Sequence, residues 1–167
     1  KMADKEQVIK EKIEHSGLWD FSGLYSYAHS WLKEEGYGVV EEKYSEKVSN
    51  NSRDIAIEWR ATNKISDYIK HEMQIKFEIK ELVEVEVEIE EKKKKMNKGK
   101  VSVEIKGNMI KDPESQWEST PFYRFLRGWY NKYIIPARIE SMQGKVAGDV
   151  RDFKEQLKSY LELSGKR

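Results

Sequence analysis

From Ile69 to Ile89 apolar side chains recur at odd positions: Ile69, Met73, Ile75, Phe77, Ile79, Val83, Val85, Val87 and Ile89, with His71 and Glu81 in the same series. The even positions between them are polar except Leu82. Successive side chains of a strand point to opposite faces, so this pattern predicts a long strand with one covered and one wet face. A straight strand of that length would run roughly 70 Å, far beyond the usual element, so it must bend or bulge, and Leu82 marks the place.

The neighbouring segments complete a sheet. Strands are predicted over about 38–48, 54–62, 68–90 and 100–111, with Ser49-Asn50-Asn51-Ser52 turning between the first two. Sequential hairpins imply an antiparallel meander. Met96-Asn97-Lys98-Gly99-Lys100 suits a three-residue loop with a left-handed Gly99. That register sets Met96 opposite Lys100, Glu90 opposite Lys106 and Lys92 opposite Glu104. It leaves the end of the hairpin projecting past the core, with Val101 and Val103 facing lysines.

Helical spacing governs both ends. Residues 3–14 carry Val8, Ile9 and Ile13 as a thin stripe and predict a short charged helix. Asp20 stands where it can cap a second helix with Phe21, Leu24, Tyr25, Ala28, Trp31 and Leu32 on one face, ending at Gly36. Ser119-Thr120-Pro121 opens a third, with Phe122, Phe125, Leu126, Trp129, Tyr130 and Tyr133 as its apolar face, which Pro136 must kink or end. A long stripe follows from Ala137 to about Leu163. The expected fold is therefore α+β in a single domain, 1–167: an N-terminal helical part (1–36), an antiparallel sheet of about four strands with a long projecting hairpin (37–112), and C-terminal helices (119–163) covering it.

Composition narrows function mainly by exclusion. In 167 residues, Lys plus Arg (31) nearly cancels Asp plus Glu (30), so no global field steers nucleic acid or membrane to the protein. There is no cysteine, hence no disulfide framework, and the N-terminal segment lacks the apolar stretch of a signal peptide. No stretch is apolar enough to cross a bilayer as a helix. The expected location is cytoplasmic.

Trp59-Arg60-Ala61, Ser66-Asp67-Tyr68-Ile69-Lys70, Asn97-Lys98-Gly99-Lys100 with Ile105-Lys106-Gly107, and Tyr130 to Ile135 together resemble a family of small archaeal proteins with no assigned activity. The resemblance covers residues 18 to about 160 and implies an intracellular archaeal origin, with nothing about mechanism. Pro136 departs from that pattern.

Chemistry-bearing motifs are sparse. His15, His29 and His71 are scattered, and His71 reads as a satisfied core or sheet-border histidine. Glu84, Glu86, Glu88 and Glu90 form a solvated ladder rather than an oxygen cage, and Gly36-Tyr37-Gly38 is too short to cradle phosphate. No catalytic, cofactor or metal residues are assigned, and an enzyme is not expected. Two binding candidates remain. Lys92, Lys93, Lys94, Lys95, Lys98 and Lys100 concentrate positive charge that suits phosphate contacts. Arg124, Arg127 and Lys132 interleave with aromatic residues, a pattern better read as core packing with charged flanks. The expected function is a non-enzymatic, scaffold-type interaction protein, self-associating or binding a protein partner through sheet edges, with Val101, Val103 and Trp129 as candidate interface. The alternatives are a nucleic-acid binder using the lysine tip and a carrier of small apolar ligands with a pocket lined by Trp59, Phe77 and Trp129.

Overall fold

A computed structural model describes residues 4–66, 68–111 and 135–165. Five antiparallel strands, β1 (Asp4–Trp19), β2 (Gly38–Ser49), β3 (Ser52–Lys64), β4 (Ile69–Ile89) and β5 (Lys92–Lys111), form one sheet in the order β1-β5-β4-β3-β2. Helices α1 (Phe21–Glu34) and α2 (Ile135–Gly165) pack on the same face. The predicted helix over 119–133 lies outside the described residues.

The sheet has five strands because residues 4–19 extend along β5 instead of forming the expected helix. From Ile9 the odd positions Ile9, Glu11, Ile13, His15, Gly17 and Trp19 face the helices, in register with Gly107, Ile105, Val103, Val101, Gly99 and Asn97. A charged residue at position 11 hides this alternation. Glu11 is accommodated because Lys154 of α2 donates to it at 2.8 Å. Val8 is the extra residue of a bulge between Gln7 and Ile9, which is why Val8 and Ile9 mimic the adjacent apolar pair of a helix.

Hydrophobic matching, and not turn chemistry, sets the register of β4 and β5. Ile75, Phe77 and Ile79 lie opposite Ile105, Val103 and Val101, all nearly inaccessible. Trp59 and Phe77 share this face, with ring centroids 4.9 Å apart. The turn falls at Glu90-Glu91 between paired Ile89 and Lys92, not at Asn97-Lys98-Gly99. Both glutamates have positive φ, 50° and 67°, the backbone of a two-residue hairpin turn that most side chains disfavour. Lys100 accordingly meets Lys80, Lys106 meets Gln74 and Glu104 meets Lys76.

Gly99 has a different task. It faces the step Glu81-Leu82, where the register slips between Lys80 and Val83, and a Cβ there would lie 3.0 Å from Leu82 Cα. The bulge is held by the Glu81 amide donating to Asp54 Oδ1 at 3.0 Å. Its effect on the faces overturns the single continuous apolar face read from parity. Lys80 and Val83 pair with Lys100 and Lys98, two positions apart on one face, so beyond the bulge the odd residues share a face with Lys98, Met96, Lys94 and Lys92. Leu82 itself is fully buried, which explains why the alternation breaks there.

Helix α1 ends as expected: the Gly36 and Tyr37 amides donate to the carbonyls of Lys33 and Leu32, with Gly36 at φ 94°. Its start is supplied from afar. Asp20 occupies the cap position without a side-chain capping bond, and the Phe21 amide donates to Asn97 Oδ1 at 2.9 Å. Pro136 lies in the first described turn of α2, and the expected kink or end of the preceding helix falls outside the described residues. Val150, Phe153, Leu157 and Leu161 of α2 and Leu24, Ala28 and Leu32 of α1 cover the odd face of the sheet. Gly107 lets α2 approach, since a Cβ there would lie 2.7 Å from Val150 Cγ2.

Candidate functional site

The lysine run does not form a bare positive tip. Because the turn is at Glu90-Glu91, Lys92, Lys93, Lys94 and Lys95 lie along β5 opposite Ile89, Glu88, Val87 and Glu86. Lys95 also reaches Glu84 at 3.5 Å. On one face of the ribbon acids therefore alternate with bases across the strand pair, and opposite charges facing each other cancel the local field. Lys98 and Lys100 lie farther down, opposite Val83 and Lys80. The ribbon is not wholly free either: Met96 is buried, and Ile89, Lys94 and Met96 line a cleft of about 300 Å³ with Asp20, Tyr160 and Leu163.

Two candidate interface residues are core. Val101 and Val103 sit between β1 and β4 beneath the helices, 3% and 0% exposed, because the register places them against Ile79 and Phe77. They offer no surface to a partner. Trp129 lies outside the described residues, as do Arg124, Arg127 and Lys132. Trp59 and Phe77, expected to line a ligand pocket, pack on one another and are each 2% exposed.

The uncovered face is polar throughout its centre. One row crosses all five strands with alternating charge, Lys43, Glu58, Lys76, Glu104 and Lys12. Glu58 lies 3.8 Å from Lys43, and Glu104 lies 3.6 Å from Lys10 and 3.9 Å from Lys106. Farther along, Asn108 donates to Glu72 at 2.9 Å and Lys5 pairs with Glu72 at 2.7 Å, so this nearly inaccessible carboxylate is satisfied.

The sheet ends on two strands whose outer edges pair with no described strand, β1 and β2. Both are blunted by a bulge and by charges, the usual protection of an edge. β2 exposes Val40, Tyr44 and Val48, the last at 64%. β1 keeps Ile9 and Ile13 on the helix-covered face and presents Lys10, Lys12 and Glu14 on the open face.

A group of ionisable residues that sequence reasoning did not assemble lies beneath α2. His71 is fully buried, with Asn63 and Met109 beside it on β3 and β5. Neither ring nitrogen makes a hydrogen bond of good geometry to a described residue, the backbone of Met142 on α2 being the polar group that acts on the ring. Asp149 of α2 accepts from the Tyr37 hydroxyl at 2.8 Å and from Lys145 at 3.2 Å, both on Oδ2. Burial holds the His71 pKa below its ordinary value, with the Asp149 charge opposing the shift and Lys145 reinforcing it. Burial, and then the bond to Asp149, pushes the Tyr37 hydroxyl up. The resting cluster thus combines a neutral imidazole and a neutral phenol with an Asp149–Lys145 ion pair. Only tertiary structure joins positions 37, 71, 145 and 149, so no local motif announced them.

Among the described residues no group of His, Asp and Glu has the arrangement of a metal site, and no helix is long and apolar enough to cross a membrane. No protein-family model matches the chain, and no curated protein matches it.

Proposed function

We propose that this is a non-enzymatic interaction protein that self-associates through the outer edges of its sheet. The observation that carries the reading is the outer edge of β1, which runs without a bulge from Ile9 to Trp19 and meets no described strand. Unpaired backbone amides and carbonyls along such an edge form a template for another strand. The acids that face Lys93 and Lys95 on one side of the ribbon, and the filled space at Trp59 and Phe77, make nucleic acid and a small apolar ligand the weaker readings.

Sedimentation over a wide concentration range tests it. A mass that rises with concentration is the expected result, together with no salt-dependent association with generic DNA or RNA at low ionic strength. A strict monomer at the highest concentration overturns self-association.

A further inference from the structure

We infer that the occupant of the β1 edge is a second copy of this chain, paired antiparallel about a two-fold axis beside Ile13. The inference rests on the reading that the protein self-associates through its edges, and adds which edge, partner and register.

A strand that pairs with its own copy about an axis normal to the sheet brings together residues equidistant from the axis on opposite sides. With the axis at Ile13, Lys12 meets Glu14 of the second copy and Glu11 meets its His15, each contact occurring twice. Lys10 meets Ser16 and Ile9 meets Gly17, so Ile9–Gly17 pairs with no like charges opposed. Neighbouring registers either oppose like charges or, with the axis at His15, set Lys12 against Leu18 and Glu14 against Ser16 and so lose the opposite-charge contacts. An axis at Lys12 or Glu14 opposes that residue to itself, and one at Glu11 sets Lys10 against Lys12 as well. Lys12 and Glu14 pair with each other at 3.2 Å within the strand, and with side chains 53% and 71% exposed on the uncovered face this weak surface pair can exchange partners across the axis.

The other free edge behaves oppositely. On β2 an axis at Ser45 sets Lys43 against Lys47, an axis at Glu46 or Lys47 opposes that residue to itself, and an axis at Tyr44 brings Glu46 to Glu42. Like charges directly opposite one another destabilise a strand pair, so the centre of β2 is guarded against its own copy, and only short overlaps about Val40 or Val48 escape, while β1 is complementary to its copy over nine residues. Joining two copies at β1 makes a closed pair with one continuous sheet and its helices on one face.

Charge reversal at the two exposed residues tests the register. Lys12→Glu alone sets two carboxylates against each other at both of these contacts, and Glu14→Lys alone sets two ammonium groups there. Each single variant should raise the dimer dissociation constant on the order of tenfold in sedimentation or light scattering; at dilution Glu14→Lys, opposite Ser102, should melt close to wild type, whereas Lys12→Glu also faces Glu104 of β5 and should melt lower. An equimolar mixture of the two variants, and separately the double variant, restores opposite charges at every such contact and should regain the wild-type constant. Wild-type dimers that ignore the single substitutions, or single variants that weaken but fail to recombine on mixing, overturn the Ile13 register and leave association through another surface standing. A wild type that stays monomeric at every concentration overturns both the register and the self-association reading.

Discussion

The Tyr37 hydroxyl donates to Asp149 Oδ2 at 2.8 Å, tying the residue that follows the α1 cap to the middle of α2. Tyr37 is 2% exposed, so the bond is shielded from water and its loss leaves a carboxylate oxygen to Lys145 alone. Tyr37→Phe retains the ring and should cost about 1.5–3 kcal/mol in urea unfolding, the range for a hydrogen bond to a charged group. A change within a few tenths of that unit would show that water replaces the hydroxyl.

His71 makes stability depend on pH in a defined direction. Its folded pKa lies below the ordinary 6.5, so the unfolded chain binds the proton more readily. Its contribution is therefore intact above about pH 6.5 and is lost as pH falls through that value toward the lower folded pKa. The charged groups facing His71 are Asp149 and Lys145, with Tyr37 bonded to the former. The urea midpoint should drop between about pH 7.5 and 5.5, and His71→Leu should flatten that part of the profile. An equal drop in the variant would assign the dependence to other groups.

Two glycines should respond oppositely to alanine. At Gly99 a Cβ would press on Leu82 Cα and the Glu81 carbonyl, which belong to the bulge backbone, so Gly99→Ala should destabilise by about 1–3 kcal/mol. At Gly144, within α2, a Cβ meets nothing within 4 Å. Gly144→Ala should stabilise by about 0.5–1 kcal/mol through helix propensity and the entropy of the unfolded chain. Thermal melts of the two variants check both signs.

The Glu90-Glu91 turn is a second site for stabilisation. Both residues adopt positive φ, which asparagine and glycine tolerate better than glutamate. Replacing the pair with Asn-Gly should raise stability by about 1 kcal/mol without altering the β4–β5 register. Amide exchange that slows across Ile89 and Lys92 would show the effect at its source, whereas faster exchange there would contradict the turn.

Long-range apolar order was legible in the sequence: β3, β4, α1 and the break at Leu82 follow from periods of two and 3.6. Residues 4–19 misread because Glu11 interrupts the covered face, and only Lys154, 143 positions away, makes that charge acceptable. The hairpin turn misread for a related reason. Asn97 and Gly99 are turn-forming types, yet here one receives the Phe21 amide and the other faces the bulge. The buried cluster was illegible because residue types at positions 37, 71, 145 and 149 carry no spacing rule. The charge relation about Ile13 stood in the sequence, but it acquires meaning only once that segment is an edge strand.

Among the described strands β1, the first in sequence, pairs only with β5, the last, and the Trp19 indole donates to the Gly99 carbonyl 80 positions later. Contacts of such separation are slow to close, since the intervening chain must be ordered before they bring any gain. During synthesis β1 emerges long before its partner and must wait unpaired, and the start of α1 waits with it for Asn97. The charges at Lys10, Glu11, Lys12 and Glu14 then keep a nascent, half-apolar segment in water until β5 arrives. The polar residues that hide this strand from a periodicity reading are the ones that let it survive its own delay.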